Sequence, residues 1–188
     1  MCGGRGTRLD ADREKPLVCV GDVPMLDRVC DALADSDVET VYAAVSPQAP
    51  ATRDHARARE DCTVVETPGA GYVADLDAAR AAAGVDGPVL TCVADLPLLA
   101  PALVDDAIAA AGAVDGGSVT VVVPAALKAA LGVSADAAFE RDGRRLAPTG
   151  LNVVGAGGEA TRVRWEARLA VNVNRPADRA VAERLADA

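Results

Sequence analysis

The sequence predicts an α/β fold: a mostly parallel, doubly wound sheet with helices on both faces. Three observations predict it. Short apolar or β-branched runs alternate with segments of helical spacing along most of the 188 residues. The run Val89–Val93 is continuously apolar, as in a strand covered on both faces of a parallel sheet. A glycine-rich loop at residues 2–8 offers bare backbone amides to an anion. No repeat, linker or composition break divides the chain, so residues 1–188 read as a single domain.

The elements follow in order. A loop of the Gly3–Gly6 type leaves the end of a buried strand, yet only Met1 and Cys2 precede it; the first strand is therefore expected upstream of Met1. Leu17–Val20 reads as a short strand closed by Gly21-Asp22. Pro24 suits the first turn of a helix whose apolar face is Met25, Leu26, Val29, Cys30 and Leu33. Val38–Ser46 reads as a strand, residues 51–60 as a polar helix, and Cys62–Glu66 as another strand. The loop Thr67-Pro68-Gly69-Ala70-Gly71 leads into a helix over Tyr72–Ala83. After Val89–Val93 come Asp95-Leu96-Pro97, a helix over Pro101–Ala113 and a strand over Ser118–Pro124. Residues 125–150 are mixed. Asn152–Val154 and Leu169–Val173 read as short strands, and 176–187 as a closing helix begun by Pro176.

Composition narrows the class. Hydrophobic residues make up 51% but aromatics only 2%, so the core must be built from Ala, Val and Leu. Acidic residues number 28 against 19 basic, for a net charge of −9. That balance, rich in Asp and with Lys15 and Lys128 as its lysines, suggests the cytoplasm of a halophile, with an ordinary acidic protein of a GC-rich genome as the alternative, and argues against nucleic-acid or membrane binding. The five cysteines are scattered without a CxxC pair and read as buried small hydrophobes in a reducing compartment. His55, the one histidine, sits in a polar run and reads as solvated, which removes a Ser-His-Asp triad and a His-rich zinc site. Trp165 reads as a packing residue, and Arg144 with Arg145 as a solvated turn.

The chemistry gathers in the first loop. Gly3, Gly4 and Gly6 let the backbone turn sharply, Arg5 and Arg8 lie beside them, and Lys15 precedes a proline. Amide donors flanked by fixed cations suit a triphosphate, whose oxygens only accept. The spacing is neither GxGxxG, since Leu9 stands at its third position, nor GxxxxGK[ST]. Asp95, at a strand end, can ligate Mg²⁺ while phosphates supply the remaining oxygens. Gly69 and Gly71 allow backbone to approach a flat ring, and a plain strand-to-helix turn explains them equally.

GGRGTRL…KPL followed by VGDVPML resembles the signature of nucleotidyltransferases that activate sugars and cofactors. TPGAGYVADL (67–76), PTGLNVV (148–154) and AVNVNRPAD (170–178) are similar to the archaeal GTP:adenosylcobinamide-phosphate guanylyltransferases, across nearly the whole chain. The resemblance implies a Rossmann-like fold, GTP and adenosylcobinamide phosphate as substrates, and Mg²⁺ bound with GTP. It implies catalytic Arg8, Lys15 and Asp95, and a nucleotide site formed by Gly3, Gly4, Arg5, Gly6, Thr7, Arg8, Lys15, Thr67, Gly69, Gly71 and Asp95. Asp95 and Asn174 are the implied metal ligands, with Asn172 an alternative to Asn174. Glu66 or Asp75 could read guanine, and a homodimer is left open. The rival readings are a molybdenum-cofactor guanylyltransferase, a sugar-phosphate nucleotidyltransferase and a non-catalytic nucleotide-binding regulatory domain.

Overall fold

Proline and glycine set the borders of the elements in the computed structural model, which describes Met1, Cys2, Leu9 and residues 12–187. Pro16 lies in a 3₁₀ turn, Lys15–Leu17, closed by the Leu17 amide donating to the Glu14 carbonyl at 2.9 Å. Strands β1 (Cys19–Val20) and β2 (Val23–Pro24) form a small antiparallel hairpin. Then come α1 (Met25–Ala34), β3 (Tyr42–Val45), α2 (Pro50–Arg57), β4 (Thr63–Glu66) and α3 (Tyr72–Ala83). The second half holds β5 (Val89–Cys92), α4 (Pro101–Gly112), β6 (Ser118–Pro124), α5 (Ala125–Leu131), β7 (Phe139–Arg141), β8 (Arg144–Val154) and β9 (Glu159–Val163). The chain closes with α6 (Ala167–Ala170) and α7 (Pro176–Ala186). Proline opens α2, α4 and α7, and left-handed glycines, Gly84 and Gly132, end α3 and α5.

Among the described residues, β3 and β4 form one parallel pair, and a second sheet has the order β5-β8-β6-β9 with β7 on β8. Only β8 is reversed there: β5, β6 and β7 each pair with it antiparallel, and β9 joins β6 in parallel. The mostly parallel α/β sheet read from the sequence is the sheet observed. Its largest core cluster packs α1 and α4 on β6 and β8 through Val29, Leu96, Val104, Val121 and Leu151, small side chains as the aromatic-poor composition requires. Cys2, Cys30 and Cys92 are buried, all five cysteines are unbridged, and burial pushes the Cys92 thiol up to about 12.

Several expectations are corrected. Leu17–Val20 is not a single strand, because Pro16 favours the 3₁₀ turn before Cys19. Asn152–Val154 is the end of the eleven-residue β8. Leu169–Val173 is not a strand: the Glu166 carboxylate caps α6, and the segment beyond it runs to Asp95, whose carbonyl accepts the Val173 amide at 2.9 Å. Val171 and Val173 are fully buried there, which explains the apolar pattern without a sheet. β9 has a mixed, half-exposed sequence with no apolar run to announce it. Trp165 is 72% exposed rather than packed, since the chain leaves the β6 edge at Arg164. His55 is not simply solvated: its Nε2 shares a hydrogen bond with Asp27 at 2.8 Å, in a cluster where Arg59 also holds Asp27, Asp31 and Asp61. Arg144 and Arg145 are exposed, as expected.

Candidate nucleotide and metal site

In open α/β sheets the functional groups stand beyond the carboxyl ends of the strands. Asp95 stands there, three residues past Cys92, the last residue of β5, and is held by the contact from Val173. Lys15 comes from the 3₁₀ turn and places its ammonium between Asp95 Oδ2 and Asn174 Oδ1, 2.7 Å from the latter. Residues 80 and 159 positions apart thus meet at one cation.

Asn174 is fixed by the first turn of α7. Asp178, 1% exposed, accepts the amides of Asn174 at 3.0 Å and Arg175 at 2.9 Å, and its other oxygen accepts the Ser134 amide at 2.8 Å. One buried carboxylate therefore ties the 133–136 loop to the segment that carries the site asparagines.

Asn172 faces the same centre in a different way. Its Nδ2 donates to Asp95 Oδ1 at 3.0 Å and to the Thr149 carbonyl at 2.8 Å. Its Oδ1 accepts from Lys128 Nζ at 3.1 Å. The Asn172 oxygen is thus engaged away from Asp95, whereas Asn174 Oδ1 and Asp95 Oδ2 converge on a single point. Two hard oxygens meeting at a cation fit Mg²⁺, which takes one or two protein oxygens and completes its shell with phosphate and water. No group of three or more His, Cys, Asp or Glu side chains that could hold a metal occurs among the described residues.

Lys128 was not anticipated from the sequence. It is 3% exposed and also donates to the Ala170 carbonyl at 2.7 Å. Burial lowers its pKa, opposed by Asp178, Asp95 and Asp136. The available signal was a lone lysine in the apolar helix AALKAAL, where an ammonium must find acceptors.

A cleft of about 290 Å³ opens beside Asp95, lined among others by Lys128, Ser134, Pro148, Gly150 and Asn174. The structure thus brings 148–150 and 172–174, far apart in sequence, to one wall. Gly150 has φ +84°, and a Cβ there would meet Val93 Cγ2 at 2.3 Å. Only glycine fits.

The 67–71 loop lies beyond β4. Thr67 is buried and its amide donates to the Val45 carbonyl at 3.0 Å. Asp75 Oδ1 accepts the amides of Gly69 at 2.7 Å and Ala70 at 3.1 Å, closing the loop from the first turn of α3. Gly69 and Gly71 have φ of +70° and +110°. Glu66 pairs with Arg57 at 2.5 Å. Gly3, Gly4, Arg5, Gly6, Thr7 and Arg8 lie outside the described residues.

Lys15, Asp95 and Asn174 thus meet beyond the strand ends of an α/β sheet. A family model, the MobA-like NTP transferase domain, matches residues 1–150, and the chain belongs to that family. It is 33% identical over 81 residues to the adenosylcobinamide-phosphate guanylyltransferase of Methanocaldococcus jannaschii, covering 41% of each protein. It is also 33% identical over 105 residues to the bifunctional protein GlmU of Bifidobacterium longum, covering 53% of this chain and 23% of that protein. The chain therefore spans less than half the length of these curated relatives. Among solved structures, CMP:2-keto-3-deoxy-manno-octonic acid synthetase complexed with CTP shares the fold with a TM-score of 0.57 at 17% identity, over 79% of this chain and 70% of that one. A hypothetical transferase from Thermus thermophilus gives 0.50 at 21%, over 75% and 56%. No helix among the described residues is long and apolar enough to cross a membrane.

Proposed function

We propose that this protein transfers GMP from GTP to adenosylcobinamide phosphate, giving adenosylcobinamide-GDP and pyrophosphate. The observation that carries nucleotidyl transfer is the convergence of Lys15, Asp95 and Asn174 beyond the sheet. The choice of GTP and acceptor is supported by the resemblance of residues 67–76, 148–154 and 170–178, and by the partial match to the Methanocaldococcus jannaschii enzyme.

In the proposed reaction an oxygen of the acceptor phosphate attacks the α-phosphorus of GTP. The bond from that phosphorus to the bridging oxygen breaks, and pyrophosphate leaves with the electron pair. The acceptor phosphate is already ionised at neutral pH, so no side chain must remove a proton. Catalysis rests on alignment and charge stabilisation. Lys15, which here bridges Asp95 and Asn174, would turn to the α-phosphate, and Asp95 with Asn174 would hold Mg²⁺ in its place, where it would supply charge neutralisation for the leaving phosphates. Asn172 keeps Asp95 oriented. The amides of Gly3–Gly6 with Arg8 hold the departing phosphates, and the 67–71 loop holds the base. The cleft at Pro148 and Gly150 receives the acceptor.

The test is pyrophosphate release by the purified protein with Mg²⁺, each of the four NTPs, and a panel of acceptors. Release with GTP and adenosylcobinamide phosphate is the expected result. Guanylylation of molybdopterin or a sugar phosphate, with adenosylcobinamide phosphate untouched, would overturn the acceptor. Nucleotide binding without turnover on any acceptor would leave a regulatory domain.

A further inference from the structure

A phosphate-bearing acceptor meets an electrostatic obstacle in this cleft. A phosphomonoester carries about −1.5 to −2 charges at neutral pH, and the cleft walls hold the carboxylates Asp95 and Asp136. Like charges brought together away from bulk water repel strongly, so the acceptor needs a cation on its own side of the reacting centre.

Two nearby cations are already engaged. Lys15 serves the nucleotide in the proposed reaction. Arg175, just before α7, donates from Nη2 to both oxygens of Asp136, at 2.8 and 2.9 Å. That pair offsets the charge of Asp136 at the cleft wall. Lys128 lines the same wall.

Helix α5 carries Lys128 into this position. The helix is AALKAAL, and it packs against β6, β8 and α6, so its single charged side chain is drawn inward and is 3% exposed. The Lys128 Nζ donates to the Ala170 carbonyl and to Asn172 Oδ1, both neutral oxygens. An ammonium has three N–H donors, so these bonds leave one N–H and the whole positive charge for a further acceptor. Burying such a charge among neutral partners is costly. The negative charges of Asp178, Asp95 and Asp136 oppose that cost and favour the ammonium. Asn172 in turn donates to Asp95 Oδ1 at 3.0 Å, so one side chain separates the buried ammonium from the carboxylate of the reacting centre.

We infer that Lys128 is the contact for the acceptor phosphate. Its remaining N–H and its charge receive a non-attacking oxygen of a phosphomonoester seated in the cleft, while a second oxygen faces the α-phosphorus. The inference rests on the proposed transfer to a phosphate-bearing acceptor, and it concerns that chemical class rather than one acceptor.

Lys15 and Lys128 are the lysines of the chain, so protein isotopically labelled at lysine Cε gives one signal from each, assigned with Lys15→Met. The labelled protein is saturated with Mg²⁺ and a GTP analogue bearing a methylene bridge between its α- and β-phosphates, which occupies the triphosphate site. Inorganic phosphate is then titrated in, with KCl at equal ionic strength as the comparison. The Lys128 signal should move with phosphate and not with KCl, and the Lys15 signal should stay in place. Lys128→Met should weaken phosphate binding, measured by calorimetry, by about 10–100-fold while affinity for the analogue changes a few-fold. Arg175→Ala should leave phosphate binding within a few-fold. If Lys128→Met folds poorly, the spectrum of the unaltered protein decides alone. A Lys128 signal that phosphate does not move, or phosphate binding that is lost in Arg175→Ala and kept in Lys128→Met, would overturn the contact. A Lys128 response to inorganic phosphate without binding of adenosylcobinamide phosphate would support the contact and overturn that acceptor. Binding of adenosylcobinamide phosphate that leaves the Lys128 signal unmoved would do the reverse.

Discussion

Lys128 Nζ donates to Asn172 Oδ1 at 3.1 Å from a position that is 3% exposed. That bond agrees with the Asp95 and Thr149 acceptors in fixing which way the Asn172 amide points, because an ammonium only donates. With the oxygen held by Lys128, the nitrogen must face Asp95. Lys128→Met should therefore leave Asn172 Oδ1 without its donor and loosen the amide that faces Asp95 Oδ1. The expected outcome is a kcat lowered by about 10–100-fold, with the KM for GTP changed only a few-fold. Steady-state kinetics checks this; a variant that loses GTP affinity and kcat together would instead report a general collapse of the cleft.

Asp75→Ala should affect the 67–71 loop, the proposed base site, selectively. Asp75 Oδ1 gathers the Gly69 and Ala70 amides, and its loss leaves two donors without their acceptor. We expect a stability loss of about 1–3 kcal/mol, a raised KM for GTP, and a largely retained kcat at saturation. Asp75→Asn, which keeps an accepting oxygen, should recover most of the KM effect. Denaturant melts alongside kinetics separate the two effects.

How much of this could be read from the chain depends on where the information lies. Asp95 and Lys15 stood out because each is the wrong chemistry for its surroundings, a carboxylate after an apolar strand and a cation before a proline, whereas Asn174 came only through the resemblance, with Asn172 as its alternative. The strands β4, β5 and β6 were visible as apolar runs with clear borders. β9 and the first half of β8 were not, since half-exposed strands beside an antiparallel neighbour carry no continuous run. Leu169–Val173 misled for the opposite reason. Its valines are buried by tertiary packing against β1 and α7, not by a ladder. For Lys128 the apolar helix showed that acceptors were needed but not which, because Ala170 and Asn172 supply them from 42 and 44 residues away. Asp75 is, with Glu66, one of two candidate base readers in the sequence, and its contact with its own loop depends on backbone geometry that the residue types do not reveal.

Acid should expose the Arg59 cluster. The hydrogen bonds from Arg59 hold the Asp61 carboxyl below its ordinary value of 3.8, against a smaller effect of burial. A carboxylate with a lowered folded pKa contributes its full stability above the unfolded value and loses it as pH falls through the folded one. The stability difference between the protein and Asp61→Asn should therefore be constant from pH 5 to 7 and shrink below 3.8. Urea titrations at stepped pH measure it; a difference that persists in strong acid would remove Asp61 from the account.

Salt should stabilise the protein. Its net charge of −9 produces self-repulsion, and molar salt shortens the screening length to about 3 Å. The clustered pairs of Arg59, and of Asp106 with Arg162 and Arg164, lose some attraction as well, but they join groups in direct contact and are screened less than the long-range repulsion. The melting temperature should rise from dilute buffer to molar KCl. A flat profile would count against the acidic surface as an adaptation to salt.

Asp95→Asn carries the sharpest expectation for the proposed chemistry. Asp95 faces Lys15 with one oxygen and Asn172 with the other, so the amide keeps the shape but loses the charge. If that charge serves the leaving phosphates, it matters more in the transition state than in the GTP complex. Turnover should fall by about 10²–10³-fold while GTP binding weakens only a few-fold. Lys15→Ala should give a loss of similar size, because the two side chains act on one centre. The double variant should then cost little more than either single one, since residues working as a unit are not additive. Single-turnover rates with saturating GTP, together with equilibrium GTP binding, give all the quantities needed. Losses that multiply in the double variant would mean that Lys15 and Asp95 act at separate points, and near-normal turnover by Asp95→Asn would move the metal away from the end of β5.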